Sequence, residues 1–172
     1  MASLIENLIS VLEQENSEYE VLLELSRKKT PVIVKGDIER LQEITDEEQN
    51  IIDRIHALEG KREEHIHDIA NVINKDVEQM KLEKLIRLLE KSPREQKKLS
   101  EIHTRLHQTL SQMKNVNEHN RMLLAGALEL VEFDINLVQS AKRAPETANY
   151  NRGAYNAGDV MGNSRGSFDA RQ

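Results

Sequence analysis

The sequence predicts an all-α protein: an elongated antiparallel helical hairpin that a third long helix completes as a three-helix coiled-coil bundle, with a short extra helix and a disordered C-terminal tail. Apolar residues recur at alternating steps of three and four, the heptad spacing of packed helices. The chain is 31% charged and only 3% aromatic, with no Trp and no Cys, a composition typical of long helices. These two observations favour a coiled-coil bundle over a compact enzyme core.

The first helix is predicted over residues 3–29. Thr30-Pro31 is expected to end it, because proline restricts the preceding residue and lacks a backbone N–H. Residues 32–34 are then a short extended connection. Glu15 interrupts the apolar seam and is expected to be a solvated or snorkelling position. The seam positions are Ile5, Leu8, Leu12, Glu15, Tyr19, Leu22 and Ser26.

The second helix is predicted to begin after Gly36-Asp37, with the Asp37 carboxylate as its N-cap. Residues 37–64 contain ten acidic and four basic residues, a net charge of −6. We interpret this as a solvated outer face, with an acidic metal-binding row as the weaker alternative. The heptad positions are Leu41, Ile44, Glu48, Ile51, Ile55, Leu58, Arg62, His65 and Ile69.

A short helix and a long one complete the predicted bundle. The short helix is centred on Leu82, Leu85, Ile86, Leu88 and Leu89 and is expected to cover one end of the bundle. The long helix is predicted over residues 93–143, with Ser92 as N-cap, Pro93 at its first position and Glu95 in capping-box spacing. Its length is about 75 Å, enough to span the hairpin. Its core stripe is Leu99, Ile102, Leu106, Leu110, Met113 and Val116.

The stretch of residues 122–138 in the long helix contains 12 apolar residues in 17. Phe133 points about 200° away from Val131, so both faces of the helix carry large apolar side chains. Such a segment is buried on more than one side. It is therefore either a docking surface for a partner or part of the protein's own core or a homodimer seam. We favour the docking surface.

The domain organisation follows from a change in composition after Ala144. Residues 1–144 are expected to form one helical domain, and residues 145–172 a disordered tail rich in Gly and Asn. The tail contains Tyr150, Tyr155 and Phe168. Spaced aromatic residues in such a tail indicate either a short binding motif or a passive solubilising segment.

Several functional classes are disfavoured. The net charge of −6 argues against nucleic-acid binding. The sequence shows neither an export signal nor a membrane span, so we expect a cytoplasmic protein. His103 and His107 share a helical face, and Glu64 and His67 form one Glu-x-x-His, but neither set has the further ligands of a metal site. We expect no enzyme activity and no cofactor, although a metal-binding bundle stays an alternative.

Three stretches of the chain carry a family resemblance: VIVKGDIERLQEITDEEQ, LEKLIRLLE and, in the last helix, residues spaced as N-x-x-N-x-x-L-L. In this sequence the residues of that last signature are Asn117, Asn120, Leu123 and Leu124, followed by Leu128. By these motifs, residues 4–140 resemble the FlgN-type flagellar export chaperones. Asn117 and Asn120 are expected to set register or form a polar layer.

The resemblance implies a cytoplasmic chaperone that binds hook-filament junction proteins and delivers them to the flagellar type III export apparatus. It also suggests that Tyr150 or Tyr155 contacts an export-gate component. The alternative is a coiled-coil structural or regulatory homodimer without client binding, and the sequence does not separate a monomer from a homodimer. The predicted client-binding residues are Leu123, Leu124, Leu128, Leu130, Val131, Phe133, Ile135, Leu137 and Val138.

Overall fold

The structure, a computed structural model, describes residues 2–75 and 80–142. Within these ranges it contains four helices and no strand: α1 (Ala2–Lys35), α2 (Ile38–Val72), α3 (Leu82–Leu88) and α4 (Pro93–Lys142). The helices pack as a bundle, and the predicted all-α class is confirmed. The chain divides into two compact units, Met1–Leu130 and Val131–Gln172, and the helices pack against one another within the first unit.

The helices α1 and α2 form an antiparallel hairpin. Tyr19 donates a hydrogen bond to Glu59, and Ser26 donates one to Glu48, so residue numbers rise along one helix as they fall along the other. The predicted seams face each other, and each fully buried Leu or Ile contributes about 1.5–3 kcal/mol. The buried apolar seam residues are Ile5, Leu8, Leu12, Leu22, Ile44, Ile51, Ile55, Leu58 and Ile69.

The predicted end of α1 at Thr30-Pro31 is wrong, since the helix contains Pro31 and continues to Lys35. A proline inside a helix removes one hydrogen bond and typically costs about 3 kcal/mol. Residues 32–34, predicted as an extended connection, are helical, and the packing of Val32 and Ile33 offsets part of this cost. Ile33 is buried, and Val32 packs against the core cluster of α1 and α2.

The helix α1 ends at Gly36, whose φ of 67° places it in the left-handed region. The Gly36 N–H donates to the Ile33 carbonyl at 3.0 Å, and the Asp37 N–H donates to the Val32 carbonyl at 3.2 Å, which is the Schellman arrangement. The Asp37 carboxylate then accepts from the Arg40 N–H at 3.0 Å. Asp37 is therefore the N-cap of α2, as predicted. The connection between α1 and α2 consists of the two residues Gly36 and Asp37.

The predicted short helix is confirmed as α3, and it covers one end of the bundle. Leu85 of α3 lies in the same buried cluster as Leu8 of α1, Ile69 of α2 and Leu99 of α4. Met80 and Leu89, which flank α3, belong to this cluster as well. All four helices therefore contribute to one core at this end.

Within the first unit, α4 runs parallel to α1. Thr109 donates to Asn16 at 3.1 Å, and Asn120 donates to the Ser26 carbonyl at 2.7 Å, so residue numbers rise together along the two helices. The predicted core stripe of α4 is buried at Leu99, Ile102 and Leu106. The three-helix arrangement follows from these contacts.

Glu15 is not solvated, and the prediction for this residue is wrong. Its side chain is 1% exposed and accepts a hydrogen bond from Arg62 Nη1 at 2.6 Å. Glu15 Oε2 is buried without a hydrogen-bond partner among the described residues. Burial raises the pKa of the Glu15 carboxyl, because the lost hydration outweighs the nearby Arg62 charge. Glu15 and Arg62 both occupy predicted seam positions, which explains why they meet.

Candidate functional site

Burial along α4 changes abruptly near Asn120. The buried residues of this helix are Leu99, Ile102, Leu106, Thr109 and Asn120, and none follows Asn120 in its described part. Leu123 and Leu124 are half-buried, and every residue from Leu128 to Lys142 is exposed. The large apolar residues from Leu128 onward are therefore exposed, in contrast to the core stripe in the first half of α4.

The last buried position of α4 is fixed by a polar contact with α1. Asn120 Nδ2 donates to the Ser26 carbonyl at 2.7 Å, and Thr30 Oγ1 donates to Asn120 Oδ1 at 2.6 Å. The first helix ends at Lys35, five residues beyond Thr30. Since parallel helices rise equally, about 1.5 Å per residue, α1 accompanies α4 only to about residue 125. Residues 126–130 of the first unit consequently extend past the hairpin.

The structure gives the exposure of every predicted client-binding residue. In the first unit, Leu123 and Leu124 are half-buried, whereas Leu128 is 65% and Leu130 67% exposed. In the second unit, all five predicted residues are between 50% and 63% exposed: Val131, Phe133, Ile135, Leu137 and Val138. Seven of the nine residues are therefore accessible to a partner.

Two apolar stripes run along the helix of the second unit. At about 100° per residue, the first stripe, Val131, Ile135 and Val138, lies within about 60° of arc. The second stripe, Phe133 and Leu137, lies within about 40°. The centres of the two stripes are about 150° apart. They therefore point toward different sides of the helix.

The charge around these stripes has one sign. Glu129, Glu132 and Asp134 are exposed, and residues 122–141 contain no Lys or Arg. Glu132 lies on one arc between the two stripes of the second unit, and Asp134 lies on the other. A partner of this surface meets apolar side chains bordered by carboxylates.

The chain matches the FlgN protein family over residues 1–157. This match covers most of the 172 residues. The chain belongs to the FlgN family. No curated protein and no solved structure gave a significant match.

FlgN is a family of flagellar chaperones rather than of enzymes, and membership indicates that this chain binds flagellar proteins. In the part of the chain that the structure describes, no group of three His, Asp or Glu side chains is arranged to hold a metal ion. No helix within the same ranges is long and apolar enough to cross a membrane.

Further large hydrophobic residues of this FlgN-family chain are exposed outside the predicted client-binding set. Val34 is 69% and Ile38 78% exposed, on either side of the Gly36-Asp37 connection, and Met122 of α4 is 66% exposed. The early end predicted for α1 concealed Val34, because it placed residues 32–34 in a connection instead of on the helix. Gly36, already predicted to precede the second helix, was the sequence signal that α1 continues to Lys35.

The predicted tail contacts lie outside the described residues. Tyr150 and Tyr155, proposed from the resemblance to contact an export gate, both belong to residues 143–172, which the structure does not describe.

The two asparagines of the family signature differ from each other. Asn120 is 4% exposed and forms the predicted polar layer, whereas Asn117 is exposed.

Proposed function

We propose that this FlgN-family protein is a cytoplasmic export chaperone for hook-filament junction proteins. It binds them through the apolar end of α4, prevents their aggregation and delivers them to the flagellar type III export apparatus. The observation that carries the proposal is the exposure of seven large apolar residues at the end of a helix whose first half is buried. Membership of the FlgN family, which implies binding of flagellar proteins, supports a flagellar client.

The exposed residues suit a binding role because their exposure is costly for an isolated protein. Fully burying one Val, Leu, Ile or Phe side chain is worth about 1.5–3 kcal/mol. Large exposed apolar surfaces on soluble proteins typically mark interaction sites or cause aggregation. A client that covers Leu128, Leu130 and the residues after them gains this energy.

In the proposed mechanism, a partly unfolded client places an amphipathic terminal helix against α4. Residues spaced by three and four on the client helix then contact the apolar residues of α4, the helix-in-groove mode of recognition. The contact covers client surface that would otherwise aggregate. No nucleotide or catalytic group takes part in this step.

The competing function is a coiled-coil structural or regulatory homodimer without client binding. The same apolar residues of a second copy would cover α4 in that case. A homodimer predicts a molar mass twice that of the 19.8 kDa chain and no change when client is added. The chaperone predicts a monomer that gains the mass of one client.

The decisive experiment is size-exclusion chromatography with light scattering, on the chain alone and with terminal peptides of hook-filament junction proteins. We expect a 1:1 complex with the unmodified chain and clearly weaker binding of the same peptides to Leu128→Asp or Val131→Asp. Both residues are exposed, so both variants should keep the helical content and unfolding midpoint of the unmodified chain.

The matched control is Asn136→Asp, which adds the same charge to an exposed polar position of the same helix. This control should bind peptide almost as well as the unmodified chain. A tight dimer that ignores the peptides, and that dissociates in the Leu128→Asp and Val131→Asp variants, would replace the chaperone by the homodimer.

The tail has a separate role in the proposal. Residues 1–144 form the chaperone domain, and residues 145–172 contact an export-gate component through Tyr150 or Tyr155. Replacing both tyrosines by Ala should weaken binding to the purified gate component while leaving client binding intact. Unchanged gate binding in the double variant would end this part of the proposal.

A further inference from the structure

The two apolar stripes of the second unit point to a partner that supplies two helices. A straight helix packs against another helix along a single apolar seam. The first stripe consists of Val131, Ile135 and Val138, and the second of Phe133 and Leu137. The centres of the two stripes are about 150° apart around the helix axis. All five residues are at least 50% exposed. A single straight helix that covers one stripe therefore leaves the other in water.

The charges between the stripes indicate the chemistry of those helices. Glu132 and Asp134 occupy the two arcs that separate the stripes, and both are exposed. No base lies between Arg121 and Lys142 in the sequence. In packed helices, residues that flank the apolar seam face the flanking residues of the partner, and opposite charges there select the partner. Lys or Arg beside an apolar seam complements this surface, whereas Glu or Asp is repelled.

We propose that the client binds the end of α4 with two amphipathic segments, one on each stripe, and that both segments carry basic residues beside their apolar seams. The inference rests on the proposed chaperone function and adds the number and the charge of the client segments. A second copy of this chain does not meet the requirement, because its own stripes are bordered by the same acids, Glu132 and Asp134.

The probe is a pair of synthetic amphipathic helical peptides with the same leucine seam, one flanked by lysines and the other by glutamates. Isothermal titration of the full chain at low ionic strength should give two lysine peptides per chain. We expect the lysine peptide to bind at least tenfold more tightly than the glutamate peptide. The ratio should fall toward one in 0.5 M NaCl, because salt screens exposed charges.

Variants of each stripe test the stoichiometry. Val131→Ser with Ile135→Ser should remove one lysine peptide per chain, Phe133→Ser with Leu137→Ser should remove the other, and the combined variant should bind none. Glu132→Gln with Asp134→Asn should lower the preference for lysine to less than threefold. The control Glu101→Gln, an exposed acid elsewhere on α4, should leave the preference unchanged.

Other results would overturn the inference. If one lysine peptide binds per chain and either stripe variant abolishes its binding, the surface is a single site. Equal binding of both peptides means that the acids do not select the partner. A dimer that either stripe variant dissociates means that a second copy covers the surface. If junction proteins bind but the peptides show no charge preference, only the two-segment inference fails. If two lysine peptides bind but no junction protein does, only the chaperone function fails.

Discussion

Asn120 of α4 donates a hydrogen bond to the backbone carbonyl of Ser26 in α1 at 2.7 Å, and this contact marks where the buried part of α4 ends. The amide is 4% exposed and also accepts from Thr30 Oγ1. Ser26 extends the polar layer to α2, since its hydroxyl donates to Glu48, which also pairs with Lys29. One polar layer thus connects three helices of the first unit.

Asn120→Ala is expected to lower the free energy of unfolding by about 1–3 kcal/mol, because it removes both hydrogen bonds and leaves Thr30 Oγ1 without its α4 acceptor. Urea unfolding followed by circular dichroism measures the change. Asn117→Ala, on the exposed side of the same helix, is the control and should stay within about 0.5 kcal/mol of the unmodified chain. Equal effects of the two variants would contradict the assigned polar layer.

Replacing Gly36 or Gly60 by alanine is expected to change the stability of the protein in opposite directions. Gly36→Ala should destabilise the protein by about 1 kcal/mol, because a Cβ is strained at the φ of 67° that ends α1. Gly60→Ala should stabilise it by about 0.5–1 kcal/mol, because Gly60 lies inside α2 with open space around the added carbon. Denaturant midpoints of the two variants test both signs. A gain in stability for Gly36→Ala would contradict the Schellman end of α1.

Glu15 is expected to make stability fall as pH rises. The folded protein raises the pKa of this carboxyl above its ordinary value of 4.5, chiefly by burial, so the folded state holds the proton more tightly than the unfolded state. The stabilisation is complete below pH 4.5 and is lost as pH rises through the folded-state pKa. Glu15→Gln removes this dependence, and its stability relative to the unmodified chain should increase between pH 4 and pH 7.

The measurement for Glu15 is urea unfolding at several pH values in one buffer system. Glu13→Gln, an exposed neighbour in α1, controls for the loss of one negative charge. If both variants follow the same pH profile, burial of Glu15 has no effect on its protonation.

The apolar residues at the end of α4 are expected to contribute little to the stability of the unbound chain. Leu130→Ser should change the free energy of unfolding by less than about 0.5 kcal/mol, because Leu130 is 67% exposed. Leu106→Ser, a buried position of the same helix, should cost at least about 3 kcal/mol. A large loss for Leu130→Ser would indicate that the residue is covered, as in a homodimer.

Heptad periodicity was sufficient to predict the helices and most of their buried residues, because the seam of a coiled coil is a local property of the sequence. It located Ile5, Leu8 and Leu12 in the core, and the capping signals at Ser92 and Pro93 added the correct start of α4. Local rules failed at Pro31. The cost of that proline is one hydrogen bond near a helix end, and it is offset by the burial of Ile33, which depends on tertiary packing.

The burial of Glu15 also depended on a tertiary contact. Its partner Arg62 is 47 residues away in sequence, although both residues were at predicted seam positions of antiparallel helices. Pairing the two seams in register would have revealed the contact. The boundary of the exposed surface on α4 was not predicted, because it depends on where α1 ends, and α1 was predicted to end at Thr30-Pro31 instead of Lys35. The apolar composition of residues 122–138 indicated a docking surface but not which of its residues are covered.

The turn at Gly36-Asp37 has a further consequence for how chaperones of this architecture can diverge. Lengthening α1 and α2 by one helical turn each, about four residues, would extend the hairpin along α4 to about residue 129. Leu128 would then be covered without any substitution in α4. Insertions beside this turn therefore bury more of α4 within the protein and leave less apolar surface for a partner, and deletions do the reverse. The sequence of α4 can stay constant while stability and binding area change.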